Sequence, residues 1–412
     1  MSESSESQQR RTLMPKSIIS ERGFWIALLC MAVVTVSNGL INSGLSVYDE
    51  VLLEHFDVSI GQLKLRDSIS FLGSSLFVLM AGVWVDRHGT KRALMVGLIL
   101  LTLVYSAYPM ATSLTQIYGL HLLFAVVLAC AGNMTAIVTA AHAFPDRKGL
   151  AIGMAVAGTS VGGILIPPLA TKLIEGYGWQ TAMRMEAVIP LIAMLIVLKL
   201  LPANLGSSTN KALTGEPRSG FGGVLRNKAF YRITIAASLT YYATLSLFSH
   251  LFLYLRSLDI PPQQAAFGLS VLAASALVGK LIGGYVSDRL PFDGFFRIQM
   301  SLMLMGVTGI AFGGDWLWFA VVIAGFGWGG LHALYNIVLV RLFGLTVAGR
   351  VNSTVSVAEA IGGSIGIAVT GWLADASGYT TAFGVASALC AAALLLVFTT
   401  PTPRQTPDQS AA

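Results

Sequence analysis

Two ionisable residues stand inside stretches otherwise suited to hydrocarbon. Lys280 lies in the apolar run Ala265–Val286, and Glu359 lies in Val351–Ala374. An ammonium at the centre of a membrane helix costs about 2.5–3.5 kcal/mol on insertion scales, so such groups normally face a cavity or a partner. Lys280 sits roughly two turns from the end of its run, which makes snorkelling to the interface a long reach. The chemistry open to an ammonium so placed is to receive an anion. The chemistry open to a buried carboxyl is to take up and release a proton. A structural ion pair without further duty is the competing reading of both.

The surrounding elements explain why these groups are unusual. The chain has 412 residues, of which 11% are charged and 55% apolar, with a mean hydropathy of +0.72. Soluble domains carry about 25% charged residues, so lipid must be the solvent for much of this chain. Twelve apolar runs are long enough to span: Phe24–Tyr48, Ile69–Val85, Ala93–Met110, Ile117–Ala143, Leu150–Ile174, Ala182–Leu201, Ile233–Leu255, Ala265–Val286, Ile298–Gly313, Leu317–Phe343, Val351–Ala374 and Thr381–Phe398. They are continuously apolar and about twice the length of barrel strands, which predicts helices.

Of the 26 basic residues, 20 fall in the tails and loops of one face. Lys64, Arg66, Lys172, Arg184 and Arg256 fall on the other. This bias predicts cytoplasmic N- and C-termini and a multi-pass protein of the cell (inner) membrane. The net charge of +6 is spread over short loops, which excludes a nucleic-acid face. Expected domains are an N-terminal tail (1–22), a six-helix bundle (23–201), a Gly- and Ser-rich linker (202–230), a second six-helix bundle (231–399) and a C-terminal tail (400–412). Cys30, Cys130 and Cys390 all lie in apolar runs without metal-ligand spacing, and are read as packing residues.

The two halves repeat. Gly82-Val-Trp-Val-Asp86-Arg87 ends the second run and Gly284-Tyr-Val-Ser-Asp288-Arg289 ends the eighth. Gly162-Gly163 and Gly178-Trp179 correspond, without gaps, to Gly362-Gly363 and Gly378-Tyr379. Duplicated six-helix halves mark transporters that rock about a central site. Glycines at three- and four-residue spacings, among them Gly153, Gly158, Gly162, Gly362, Gly363 and Gly366, predict close helix packing.

The stretch Gly82-x-x-x-Asp86-Arg87-x-Gly89-x-Lys91-Arg92 resembles the signature loop of the major facilitator superfamily, departing from it at Thr90. The resemblance implies an all-α membrane protein of twelve transmembrane helices in two pseudo-symmetric six-helix bundles. It also implies a conformational latch of Gly82, Asp86, Arg87, Gly89, Lys91, Arg92, Gly284, Asp288 and Arg289. Lys148-Gly-Leu-Ala-Ile-Gly, Pro167-Pro168 and Gly279-Lys280 are similar to the monocarboxylate porter and oxalate/formate antiporter branch. In that branch the basic residue of helix eight binds the substrate carboxylate, which implies that role for Lys280. Proton-coupled porters carry an aspartate one turn earlier, where this chain has Ala276. Oxalate transporters place a second cation near the position of Glu359, where the charge is here reversed. These departures suggest a Lys280–Glu359 pair in which the substrate anion and a proton on Glu359 replace one another. Helices that line the cavity in the superfamily contribute Asn38, Asn42, Tyr241, Tyr335 and Asn336 as candidate substrate contacts. Neighbouring Tyr241 and Tyr242 diverge by about 100 degrees, so only one can face the cavity.

The expected function is secondary active transport of a small organic anion, a monocarboxylate, with proton symport or anion exchange. The alternative within the same fold is transport of a larger or neutral solute. No catalytic cluster and no nucleotide loop stands in the sequence, so neither an enzyme nor a cofactor is expected. The expected partners are the anion, a proton or counter-anion and the bilayer, with a monomeric chain. Arg66 and Asp67, and likewise Arg184 and Glu186, are read as interfacial caps or an outer gate. Asp49 and Glu50 are read as solvated.

Overall fold

The computed structural model describes the fold of residues 21–202, 205, 221–287 and 292–400. Among these residues there is no strand. Ten stretches are long and apolar enough to cross a membrane. Two further helices complete the bundle. Lys228–Ser257 crosses as 30 residues of lower hydropathy, and the long stretch Val347–Phe398 is two helices broken at Gly378, whose φ is 80°.

The twelve long helices of the described residues are α1 (Arg22–Phe56), α2 (Ile60–His88), α3 (Thr90–Ala107), α4 (Leu114–Ala143), α5 (Lys148–Tyr177), α6 (Trp179–Leu200), α7 (Lys228–Ser257), α8 (Pro262–Ser287), α9 (Phe292–Phe312), α10 (Leu317–Phe343), α11 (345–377) and α12 (379–398). The expected linker lies mostly outside the described residues, as do residues 1–20 and 401–412 of the two tails.

The packing is duplicated. α1 packs on α5 as α7 packs on α11, and α2 on α4 as α8 on α10. α3 lies against α4 and α6 as α9 lies against α10 and α12. The halves meet where α2 crosses α11 and where α5 crosses α8, each pairing being the image of the other. The repeated glycines sit at equivalent contacts. A Cβ on Gly162 would stand 2.6 Å from the Thr35 carbonyl of α1, and one on Gly362 would stand 2.2 Å from the Ser238 carbonyl of α7. Gly178 and Gly378 both take a positive φ, 77° and 80°, at the turns into α6 and α12. That region is nearly free to glycine and strained for other residues.

The halves do not meet along their whole length. The helix ends near residues 22, 88, 148 and 398 form one face, here called the terminal face; the opposite end is the far face. Hydrogen bonds between α5 and α8 run from Thr159–Lys280 to Pro168–Gln263 toward the far face. Those between α2 and α11 run from Ser68–Ser364 to Gly61–Asp375. At the terminal face, by contrast, a Cβ on Gly82, Gly149 or Gly349 would meet nothing within 4 Å. The bundles are thus joined at the far face and part toward the terminal one.

Three helices depart from the sequence expectation. α2 begins at Ile60, not near Ile69. Ser59 and Gln62 close a capping box at its start, which satisfies two free amides reciprocally. The charges at Lys64, Arg66 and Asp67, which read as the edge of the membrane, lie within the helix. α1 continues past Tyr48 to Phe56 through a π-helical stretch, Gly39–Gly44, and a 3-10 turn, Leu45–Tyr48. α4 is interrupted at Gly132, where a Cβ would stand 2.0 Å from the Leu128 carbonyl.

Candidate functional site

Lys280 sits on α8 at the depth where the hydrogen bonds between α5 and α8 end. Its ammonium donates to Thr159 Oγ1 at 2.8 Å and Ser160 Oγ at 3.0 Å, both on α5 of the other half. The Trp328 ring of α10 faces it at 5.4 Å. That indole in turn packs on Phe248 of α7, with centroids 4.4 Å apart. The ammonium thus rests on two hydroxyls and an aromatic face, and among the described residues no carboxylate forms an ion pair with it. Two neutral acceptors and an indole compensate a buried charge only in part.

Glu359 lies elsewhere, inside the second half. It is 5% exposed and bonded to Ser356, one turn earlier on α11. Tyr241 of α7 and Tyr335 of α10 are close enough to interact with its charge. No ion pair joins it to Lys280 among the described residues, so the two groups form separate stations in this state.

The other candidates are divided. Tyr335 is 1% exposed, and its hydroxyl is bonded to Thr240 Oγ1 at 2.9 Å, so it backs the Glu359 station from within the core. Tyr241 is half-buried while Tyr242 is buried, which fits the divergence of neighbours on a helix. Asn336 is half-buried on α10. On α1, Asn42 is exposed at mid-helix and donates to Asn38 Oδ1 at 3.2 Å, while Asn38 donates to Ser37 Oγ at 3.4 Å.

Around the signature loop, Asp86, Arg87 and Arg92 are exposed, and no ion pair holds them among the described residues. Lys91 donates to the Leu198 carbonyl at 2.8 Å. Gly89, with φ 82°, breaks α2 from α3. Gly284 lies within α8, while Asp288 and Arg289 fall outside the described residues. Where the bundles part, Asp86, Arg87 and Arg92 of this loop make no ion pair to the other half among the described residues.

The far face carries a polar network that sequence reasoning missed. Asp49 is fully buried, not solvated as expected. It pairs with both Lys64 and Arg66. Asp67 closes the ring, 3.1 Å from Lys64 and 3.3 Å from Arg66. Two cations and two carboxylates therefore cancel inside the bundle, which is the condition for burying them at all. Ser249 of α7 donates to Asp67 at 2.8 Å and accepts from Lys64 through its carbonyl, tying the ring to the other half. Arg66 also donates to the Tyr108 hydroxyl at 2.9 Å, and Tyr108 and Ser70 flank His121. Glu50 keeps 45% of its side chain exposed, as expected, but Arg256 of α7 also grips it through two bonds of 2.7 and 2.8 Å. Asp375 of α11 accepts from the amides of Ile60 and Gly61 at 2.9 and 2.8 Å, capping α2 from the opposite half. The readable signal was the presence of both signs of charge, Asp49 before one short loop and Lys64, Arg66 and Asp67 after it.

Comparisons with known proteins agree with this architecture. The family model of the Major Facilitator Superfamily matches residues 27–367. Monocarboxylate transporter 13 of Bos taurus is 30% identical over 329 residues, covering 76% of this chain and 74% of that protein. The oxalate:formate antiporter of Oxalobacter formigenes is 25% identical over 380 residues, covering 89% and 88%. Among solved structures, a bacterial homolog of the human lysosomal transporter Spinster, in an inward-facing and unoccupied conformation, superposes with a TM-score of 0.74. It shares 17% identity and covers 94% of this chain and 99% of that one.

Proposed function

This chain belongs to the Major Facilitator Superfamily, and from that premise we propose that it carries a small organic anion, a monocarboxylate, across the cell membrane by alternating access. One observation carries the reading. Lys280 presents an ammonium where the inter-half contacts end, with hydroxyls and an indole around it and no carboxylate in ion-pair reach among the described residues. An anion arriving through the passage supplies the missing counter-charge, and a single cation matches a single carboxylate. The relatives named as monocarboxylate and oxalate:formate transporters support this substrate class.

We read the terminal face as cytoplasmic, because the short loops on that side carry most of the basic residues. The described state is then open inward and closed outward. Glu359 serves as a proton station separate from the anion station. A carboxyl buried without a cation moves through lipid at low cost only when neutral. The bundle couples the two stations by rocking as one body, in symport or exchange.

The test is uptake into proteoliposomes of labelled lactate, pyruvate, formate and oxalate, with and without a pH gradient. Saturable uptake of a monoanion is expected, abolished in Lys280→Ala and partly retained in Lys280→Arg. Wild-type uptake by Lys280→Ala would overturn the anion station. Glu359→Gln is expected to keep exchange and lose gradient-driven accumulation; accumulation that survives removes Glu359 from coupling.

A further inference from the structure

Three consecutive residues of α1 grip three different helices. The Tyr48 hydroxyl donates to Glu186 Oε2 of α6 at 2.8 Å. Asp49 pairs with Lys64 and Arg66 of α2. Glu50 receives Arg256 of α7, across the boundary between halves. Tyr48 is the last residue of the π-helical and 3-10 stretch Gly39–Tyr48, and Asp49 and Glu50 follow directly on it. Such irregular turns inside a helix concentrate at functional sites and act as joints. The far end of α1, residues 49–56, therefore hangs on a joint. Arg256 ties it to the half that must move away when the far face opens.

Glu186 is the unexplained member of this set. It is 0% exposed. Its Oε2 has the Tyr48 hydroxyl, while its Oε1 has no partner. Among the described residues no cation forms an ion pair with it. The groups facing it from its neighbours are all otherwise engaged. Tyr105 of α3 donates to the Leu40 carbonyl at 2.7 Å. Tyr108, in the turn after α3, serves Arg66 and His121, and Lys64 and Arg66 of α2 serve Asp49 and Asp67. Lys172 and Glu175 of α5 and Arg184 of α6 itself are exposed. An ionised carboxylate with one hydrogen bond in a dry interior is costly by several kcal/mol, and a neutral acid costs far less.

We propose that Glu186 is a proton-binding site that couples opening of the far face to proton release. It holds a proton while Tyr48 covers it. When Arg256 draws Glu50 away and α1 pivots at Gly39–Tyr48, Tyr48 leaves and water enters from the far side. The proton on Glu186 passes to that water and a hydrated carboxylate remains. Closure requires the carboxylate to recover a proton from far-side water before Tyr48 returns. A raised pH therefore favours the open far face and a lowered pH the closed one, since the closed state binds the proton. The inference rests on the alternating-access reading but not on the identity of the substrate.

The test uses no substrate, so its outcome stays separate from that of the anion station. Spin labels at Thr112→Cys and Trp316→Cys, in exposed far-face loops of the two halves, report the distance across the far face in nanodiscs. The three native cysteines are buried. In the background of wild-type Glu186, the long-distance population is expected to grow as pH rises. Glu186→Gln should hold the short distance at every pH, and Glu186→Asp should restore the response. A pH response of full amplitude in Glu186→Gln, or no response with Glu186 intact, overturns the proposal. Should Glu186→Gln fail to fold, infrared difference spectra decide. A protonated-carboxyl band that disappears with rising pH and is displaced in Tyr48→Phe supports the site. A band insensitive to Tyr48→Phe overturns it.

Discussion

The decisive groups are four charges and two isolated ones. Asp49, Lys64, Arg66 and Asp67 form a neutral ring with no exposure at three of the four side chains. Removing one member leaves an unbalanced charge in a dry place, which costs about 3–5 kcal/mol for a buried pair. Asp49→Asn is therefore expected to lower the melting temperature in detergent steeply. The double variant Asp49→Asn/Lys64→Gln is expected to recover part of the loss, because it restores neutrality; strict additivity of the two single effects would show that the ring is not coupled. Lys280 and Glu359 differ from the ring in lacking opposite charges among the described residues. Their burial is thus better accounted for by a visiting charge or proton than by stability.

At the scale of elements, the far face is closed by helix ends that serve one another. The first amides of α2 have no partner within their own helix. Asp375 of α11 supplies one from the opposite half, and its negative charge also suits the positive end of the helix. Loss of such a cap costs about 0.5–2 kcal/mol. All of that cost falls on the closed far face, because α11 leaves α2 when the face opens. Asp375→Ala should therefore shift the resting equilibrium toward the far-face-open state by roughly 2- to 30-fold. The same pair of spin labels across the far face measures it, and an unchanged distance distribution would assign Asp375 to folding alone. The image of Asp375 in the first half, 200 residues earlier, is Glu175; both are exposed, but among the described residues only Asp375 accepts amides of the opposite half. The duplicated scaffold is thus symmetric in packing but not in its locks.

For the whole molecule, the two inter-half seams must part and re-form if the bundle alternates. The α2–α11 seam includes the Ser68 hydroxyl donating to the Ser364 carbonyl at 2.8 Å, both residues being buried. Cysteines at these two positions change little volume, and the hydrogen bond sets the side chain of residue 68 against the backbone of residue 364 across the seam. Oxidation of Ser68→Cys/Ser364→Cys is expected to stop transport in proteoliposomes, and a reductant to restore it. Transport that continues through the oxidised protein would mean that this seam never opens. The signature loop at the other end predicts the complementary behaviour. Among the described residues, a Cβ on Gly82 would meet nothing and Asp86, Arg87 and Arg92 form no ion pair where the bundles part, so they gain partners when the terminal face closes.

Much of the scaffold was legible without coordinates. Run length and hydropathy determined twelve helices, because lipid forces each backbone to satisfy itself. The 200-residue repeat determined the two halves, and paired glycines such as Gly162 and Gly362 marked where helices touch. The solitary charges Lys280 and Glu359 stood out because oil makes any charge conspicuous. What remained hidden was partnership. Lys64, Arg66 and Asp67 read as the edge of the membrane, and Asp49 as solvated, because a one-dimensional hydropathy profile cannot tell a charge in water from a charge neutralised by a neighbouring helix. The separation of Lys280 from Glu359, the cap from Asp375 and the cover of Tyr48 over Glu186 all join residues more than 70 positions apart. Only the tertiary packing could decide them, because the energy of a buried charge depends on which groups surround it and not on which precede it in the chain.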